Sequence, residues 1–219
     1  ALPIISAAGV EAAIVPAAVL SAHTYFKGFT FRDLTDDIPN IQSHWQKEGI
    51  KFDAIYTGYL GAIKHIEYVK DFAKGSFLVV DPAMADDGQL YPAFDMEYVE
   101  AMKSLCAMAD VVLPNISEAC LLTGSEYKEN YTEGYVRELC YKLEALGCKN
   151  VVLTGVSFNE GKTGVVVYED GSYKYYEHKK IAQNYHGTGD IYSSVFVGAK
   201  MRGLDTYVAA GLAAAFTCG

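Results

Sequence analysis

At 219 residues the chain is long enough for one domain with a sheet covered by helices on both faces. Its 18 basic and 27 acidic side chains leave a formal net charge of -9, which argues against nucleic acid or an anionic membrane as partner and points to small-molecule ligands. No apolar run reaches membrane-spanning length, and five cysteines without a CxxC pair (Cys106, Cys120, Cys140, Cys148 and Cys218) read as buried thiols of a reducing cytoplasm rather than a disulfide framework or a zinc site.

The chain opens inside a helical pattern at Ala1-Leu2-Pro3-Ile4-Ile5, and the first predicted strand covers 13–20. Helix 37–48, strand 54–57, helix 63–73, strand 77–80, helix 96–107 and strand 111–113 follow. A short helix 118–122, helix 134–146 and strand 151–154 come next. Between 164 and 177 two β-rich runs flank Glu169-Asp170-Gly171-Ser172, which predicts a hairpin with Asp170-Gly171 as its turn. Helices 188–201 and 206–217 complete the pattern. Short apolar runs alternating with longer helix-period segments predict parallel strands joined by helical crossovers, hence an α/β fold. No repeat or Pro/Gly-rich linker divides residues 1–219, so they read as one domain, with an element expected to be missing at each end because both ends stop in helical patterns.

In an open parallel sheet, ligands sit beyond the carboxyl ends of the strands. The residues found there are Ser21-Ala22-His23-Thr24, Gly58-Tyr59-Leu60-Gly61, Asp81-Pro82-Ala83-Met84-Ala85-Asp86-Asp87, Pro114-Asn115-Ile116-Ser117-Glu118 and Gly155-Val156-Ser157. Acids, amides and hydroxyls thus recur on one rim. To these is added Gly187-Thr188-Gly189-Asp190, directly before the apolar helix 188–201. Two glycines allow close backbone approach, and the N–H groups and positive dipole end of an opening helix favour an anion. A carboxylate beside an anion suits a group that takes a proton from a hydroxyl attacking phosphate. The alternative is a plain helix start, with Thr188 and Asp190 as cap and first-turn acid.

Taken in order, Ser21-Ala22-His23-Thr24, Thr57-Gly58-Tyr59-Leu60-Gly61, Asp81-Pro82-Ala83-Met84, Pro114-Asn115-Ile116-Ser117-Glu118, Leu153-Thr154-Gly155 and His186-Gly187-Thr188-Gly189-Asp190 resemble the pyridoxal (pyridoxine, pyridoxamine) kinases of the ribokinase-like superfamily. Gly28 to Asp37 and Asn184-Tyr185-His186 are similar to the bacterial pyridoxamine kinase branch. The resemblance implies a three-layer α/β/α fold with a mainly parallel central sheet, helices on both faces and a late β-hairpin. It implies ATP-dependent phosphorylation of the 5′-hydroxymethyl group of a vitamin B6 form, with Asp190 as base and Gly187, Thr188 and Gly189 donating backbone N–H groups to the phosphoryl charge. His23, Thr24 and Tyr59 would hold the pyridine ring; Asn115, Thr154, Gly155 and Asp81 would meet ATP; Glu118 and Asp86 would organise Mg²⁺. A monovalent cation is a further candidate cofactor, and a cytoplasmic homodimer is implied.

Several of these residues carry a second reading. Glu118 is also a first-turn acid, Thr154 can bond its own backbone, Pro82 suits an ordinary turn, and Tyr59 is one of 17 tyrosines. His186 could polarise the glycine loop or lie on the surface, while His44, His65 and His178 read as structural or solvated. The family often has glycine where Ala85 stands, and it begins with a strand that nothing before Ala1 supplies. Hydroxymethylpyrimidine kinase is the nearest alternative, commonly with cysteine at the position of Asp190. Ribokinase-type sugar kinases carry an early β-rich lid, which is not expected between Leu20 and Asp53. A nucleotide-binding relative without catalysis is the alternative of another class.

Overall fold

The computed structural model describes residues 1–22, 26–181 and 187–219. In chain order these form α1 (Leu2–Ala7), β1 (Ala18–Leu20), β2 (Phe31–Asp33), α2 (Ile38–Lys47), β3 (Ala54–Thr57), α3 (Ile63–Phe72) and β4 (Phe77–Val80). The short β5 (Ala85–Asp86) and β6 (Gln89–Leu90) precede α4 (Met96–Cys106), β7 (Val111–Val112), α5 (Ile116–Thr123) and α6 (Glu133–Ala145). The chain continues through β8 (Asn150–Val156), β9 (Lys162–Glu169), β10 (Ser172–Lys179), α7 (Thr188–Met201) and α8 (Thr206–Thr217).

Six strands build one sheet in the order β10-β9-β8-β7-β4-β3. The four strands β3, β4, β7 and β8 are parallel, and β9 and β10 add an antiparallel hairpin beside β8. The parallel strands are apolar on both faces because both faces are covered. Leu78, Val80, Val112, Val151 and Leu153 face a core shared with α3 to α6, where Ile66, Met102, Leu122 and Leu143 are buried. Val79, Val111 and Val152 face the opposite core, built on Phe196 of α7 and Ala209 and Ala213 of α8. The α/β sandwich expected from the alternation is therefore present. The hairpin turn is also as expected: Asp170 and Gly171 both have positive φ, 50° and 74°, which a two-residue turn of this hand needs.

Residues 13–20 do not form a strand of the central sheet. Only Ala18–Leu20 is extended, and it pairs antiparallel with Phe31–Asp33 in a separate two-stranded ribbon. Pro16 and the alanines around it offer neither a full set of ladder donors nor a two-faced apolar strand, and Val19 and Phe31 remain 58% and 60% exposed. Between Leu20 and Asp53, where a β-rich lid is not expected, β2 is the strand found among the described residues. Helix α5 starts two residues earlier than predicted, because Asn115 is its N-cap and Glu118 its third residue in a reciprocal capping box. The pair β5 and β6 was not foreseen, although its turn, Asp87-Gly88 with φ of 47° and 74°, carries the usual hairpin residues. No helix among the described residues is long and apolar enough to cross a membrane.

Candidate active site

Helix α7 packs in the core through Tyr192 to Ala199, and its first turn lies at the sheet rim. Its N-cap is Gly187 in a left-handed conformation (φ 87°), so Thr188 is not the cap and no side-chain acceptor occupies that position. Asp190 stands in the first turn, exposed. Its Oδ1 faces the Tyr56 hydroxyl at 3.4 Å. Asp190, Tyr56, Thr57 and Tyr59 line one side of a cleft of about 970 Å³ that runs along β3 beneath residues 9–17. Tyr59 is 56% exposed there, its ring 5.4 Å from that of Phe94.

Asp81, just beyond β4, is tied to α7 through the Ser193 hydroxyl, which donates to Oδ2 at 2.7 Å, and Oδ1 accepts from the Ala83 N–H at 3.2 Å. Burial raises its pKa above the usual carboxylate range, to about 6, and the charge of Asp190 adds to the rise. The loop it opens has its left-handed residue at Ala83 (φ 40°), while Ala85 is an ordinary strand residue paired with Leu90. The strained position is thus two residues before the one at which family glycine was expected.

Glu118 is 3% exposed, with Oε1 accepting from the Met84 N–H and Oε2 from the Asn115 N–H, both at 2.9 Å. Asn115 returns the contact by accepting from the Glu118 N–H at 2.9 Å and donates its amide to Ala85 O at 2.8 Å. The Asn-x-x-Glu spacing therefore clamps the Met84-Ala85 loop onto the start of α5. Burial first, and the charge of Asp81 second, push the Glu118 carboxyl upward, against the pull of the Asn115, Met84 and Ala85 N–H groups. Asp86 is exposed and accepts from its neighbour Asp87. Among the described residues no three His, Cys, Asp or Glu side chains are arranged to ligate a metal directly. The half-buried Asp81 and the buried Glu118, two hard-oxygen acids of which the first raises the proton affinity of the second, do fit a hydrated divalent cation held through water, the usual habit of Mg²⁺.

Thr154 bridges to Asn115 across β7 and β8, donating both its N–H (2.9 Å) and its hydroxyl (3.3 Å) to Pro114 O. The hydroxyl therefore bonds the backbone of the neighbouring strand end and not its own, which corrects the self-bonding reading. At Gly155 (φ 71°) the ladder with β9 shifts register, and the bulge is held by tyrosines. Tyr131 Oη accepts from the Ser157 N–H at 3.0 Å and donates to Gly155 O at 3.4 Å, and Tyr175 donates to Val156 O at 3.2 Å. Tyr131→Phe is expected to cost about 1 kcal/mol of stability, read by urea denaturation; an unchanged midpoint would mean that the bulge holds itself.

The rim thus gathers Asp81, Asn115, Glu118, Thr154 and Gly155 on neighbouring strand ends, with Asp190 beside Asp81 and Tyr59 in the adjoining cleft. Three sequence candidates, His23, Thr24 and His186, lie outside the described residues. His65 is buried with Nε2 2.6 Å from Thr35 Oγ1, a structural contact, and His44 and His178 lie near Glu48 and Cys218. Two residues of this rim escaped the sequence reading. Tyr56 is hidden in an apolar strand, and Tyr91 follows β6 among the charges of Glu118, Asp86 and Asp81, which with burial push its phenol up to about 12.

A family model described as phosphomethylpyrimidine kinase matches residues 2–219. The chain belongs to the phosphomethylpyrimidine kinase family. Within the reach of this family, it is 31% identical over 167 residues to pyridoxine kinase of Bacillus subtilis and 28% identical over 167 residues to pyridoxal kinase of Dictyostelium discoideum. The alignments cover 72% and 68% of this chain but only 59% and 54% of those relatives. Among solved structures, a Bacteroides thetaiotaomicron protein provisionally designated a phosphomethylpyrimidine kinase matches with TM-score 0.95 and 38% identity, over 99% of this chain and 77% of its own. A second crystal form of that protein, with pyridoxal, matches with TM-score 0.90 over 98% and 78%. Pyridoxal kinase from Lactobacillus plantarum matches with TM-score 0.92 and 31% identity over 99% and 79%. The fold is ribokinase-like.

Proposed function

We propose that the protein is an ATP-dependent kinase that phosphorylates the 5′-hydroxymethyl group of pyridoxal, pyridoxamine or pyridoxine. The observation that carries this reading is Asp190 in the first turn of α7, at the mouth of the cleft that holds Tyr59 and next to the half-buried acid Asp81. The kinship with pyridoxine and pyridoxal kinases, and the pyridoxal-bound crystal form of the Bacteroides protein, support the substrate class.

In this reading the vitamin lies in the cleft with its ring against Tyr59, and His23 and Thr24 complete its pocket. Asp190 takes the proton of the hydroxymethyl oxygen as that oxygen attacks the γ-phosphorus; the bond to the β,γ-bridging oxygen breaks and ADP leaves. The N–H groups of Gly187, Thr188 and Gly189, at the positive end of α7, take up the phosphoryl charge. Asn115, Thr154, Gly155 and Asp81 face the nucleotide phosphates. Mg²⁺ would supply charge neutralisation on those phosphates, held through water by Asp81 and Glu118, with Asp86 at the outer edge. One domain, a cytoplasmic setting and a homodimer belong to the same proposal, the setting supported by five free thiols, four of them buried.

A second reading, phosphorylation of hydroxymethylpyrimidine, is favoured by the family description and by the 29% identity to hydroxymethylpyrimidine/phosphomethylpyrimidine kinase of Aquifex aeolicus. Incubation with Mg-ATP and each of pyridoxal, pyridoxamine, pyridoxine and hydroxymethylpyrimidine separates the two. ADP and a B6 5′-phosphate are expected. Turnover confined to hydroxymethylpyrimidine would establish the second reading, and nucleotide binding without any turnover would make the protein a binding module.

A further inference from the structure

Tyr56 is the third residue of β3, and its ring packs against the core formed with α7 and α8. A leucine or phenylalanine would serve that packing equally well, so the hydroxyl needs a separate reason. It lies at the strand's carboxyl end, 3.4 Å from Asp190 Oδ1, and a Cβ placed on Gly58 would sit 3.9 Å from it. Ser193, one turn after Asp190 on α7, sits beside the same hydroxyl and donates to Asp81 Oδ2 at 2.7 Å. A phenol thus stands between the two acids of the rim. Burial, followed by the charges of Asp81 and Asp190, pushes its proton affinity far up, so it stays a neutral donor at any working pH.

We propose that Tyr56 is a positioning residue for Asp190: its hydroxyl donates to the carboxylate, aims it into the cleft and steadies its ionised form. The inference rests on reading Asp190 as the base. The charged and titratable groups that face this pair are Asp81 behind Ser193, with Glu11, Lys51, Asp53, His65 and Arg202 on the walls of the same cleft. All of them are unchanged when only the Tyr56 oxygen is removed.

The test compares Tyr56→Phe and Asp190→Asn with the unmodified chain, using Mg-ATP and pyridoxal across pH. Tyr56→Phe should lower kcat roughly threefold to tenfold and move the acid limb of its pH profile upward by about 0.5–1, because the ionised base loses a donor. Both KM values should stay within about twofold, which loss of packing alone would not predict. Site-specific 3,5-difluorotyrosine at position 56 keeps the shape with a stronger donor and should move the acid limb downward, which keeps the test decisive if the phenylalanine variant unfolds. An inactive Asp190→Asn variant together with an acid limb that neither replacement at 56 moves would overturn the role of Tyr56 alone. Wild-type turnover by Asp190→Asn would instead remove the base assignment on which it rests.

Discussion

Asp190→Asn should lower kcat for B6 phosphorylation by about 10²–10⁴, the usual loss when a general base is removed. The change keeps the shape of the side chain and one oxygen able to accept from Tyr56, and the backbone of the anion loop depends on Gly187 at φ 87° rather than on the carboxylate. Nucleotide affinity should therefore change little. Rates of ADP release alongside nucleotide titrations separate the two effects, and near-normal turnover would show that the hydroxyl loses its proton elsewhere.

The second large effect is expected at Glu118. Removing its carboxylate with Glu118→Ala strands the Met84 and Asn115 N–H groups in a buried setting, and two unsatisfied donors at about 1–3 kcal/mol each predict a loss of about 2–6 kcal/mol. Glu118→Gln tests the charge separately. The proton of Glu118 is held more tightly in the fold than its ordinary value of 4.5 implies, so its stabilising contribution is complete below that pH and is lost as pH rises through the folded value. Denaturant midpoints should show the unmodified protein losing ground to Glu118→Gln between about pH 4.5 and about pH 8, by no more than about 1.4 kcal/mol per pH unit. A difference that grows in favour of the carboxylate instead would mean that its three N–H partners outweigh burial and the Asp81 charge.

The strands at 54–57 and 77–80 and helices α7 and α8 were legible to the residue, since uninterrupted apolar runs and regular periods leave little choice of structure. The segment 13–20 was not, because a short Ala-, Val- and Pro-containing run reads the same whether it enters a sheet or pairs only with a ribbon. That choice is made by distant partners. At the site, Asn115 and Glu118 were found by spacing, yet the spacing could not tell a capping box from a metal site, and both side chains are in fact committed to backbone groups. Tyr56 was missed for a related reason. In a buried strand a tyrosine counts as apolar, and only the packing of α7 against β3 reveals that its oxygen meets a carboxylate.

A structure of the full chain bound to ADP, Mg²⁺ and pyridoxal would test most directly whether the first turn of α7 is the phosphoryl-transfer point. The expected result has the 5′-hydroxymethyl oxygen about 3 Å from the Asp190 carboxylate, the β-phosphate facing the N–H groups of Gly187 to Gly189, and the ring against Tyr59. A vitamin or nucleotide bound away from the carboxyl ends of β3, β4 and β8, with Asp190 facing only solvent, would contradict it.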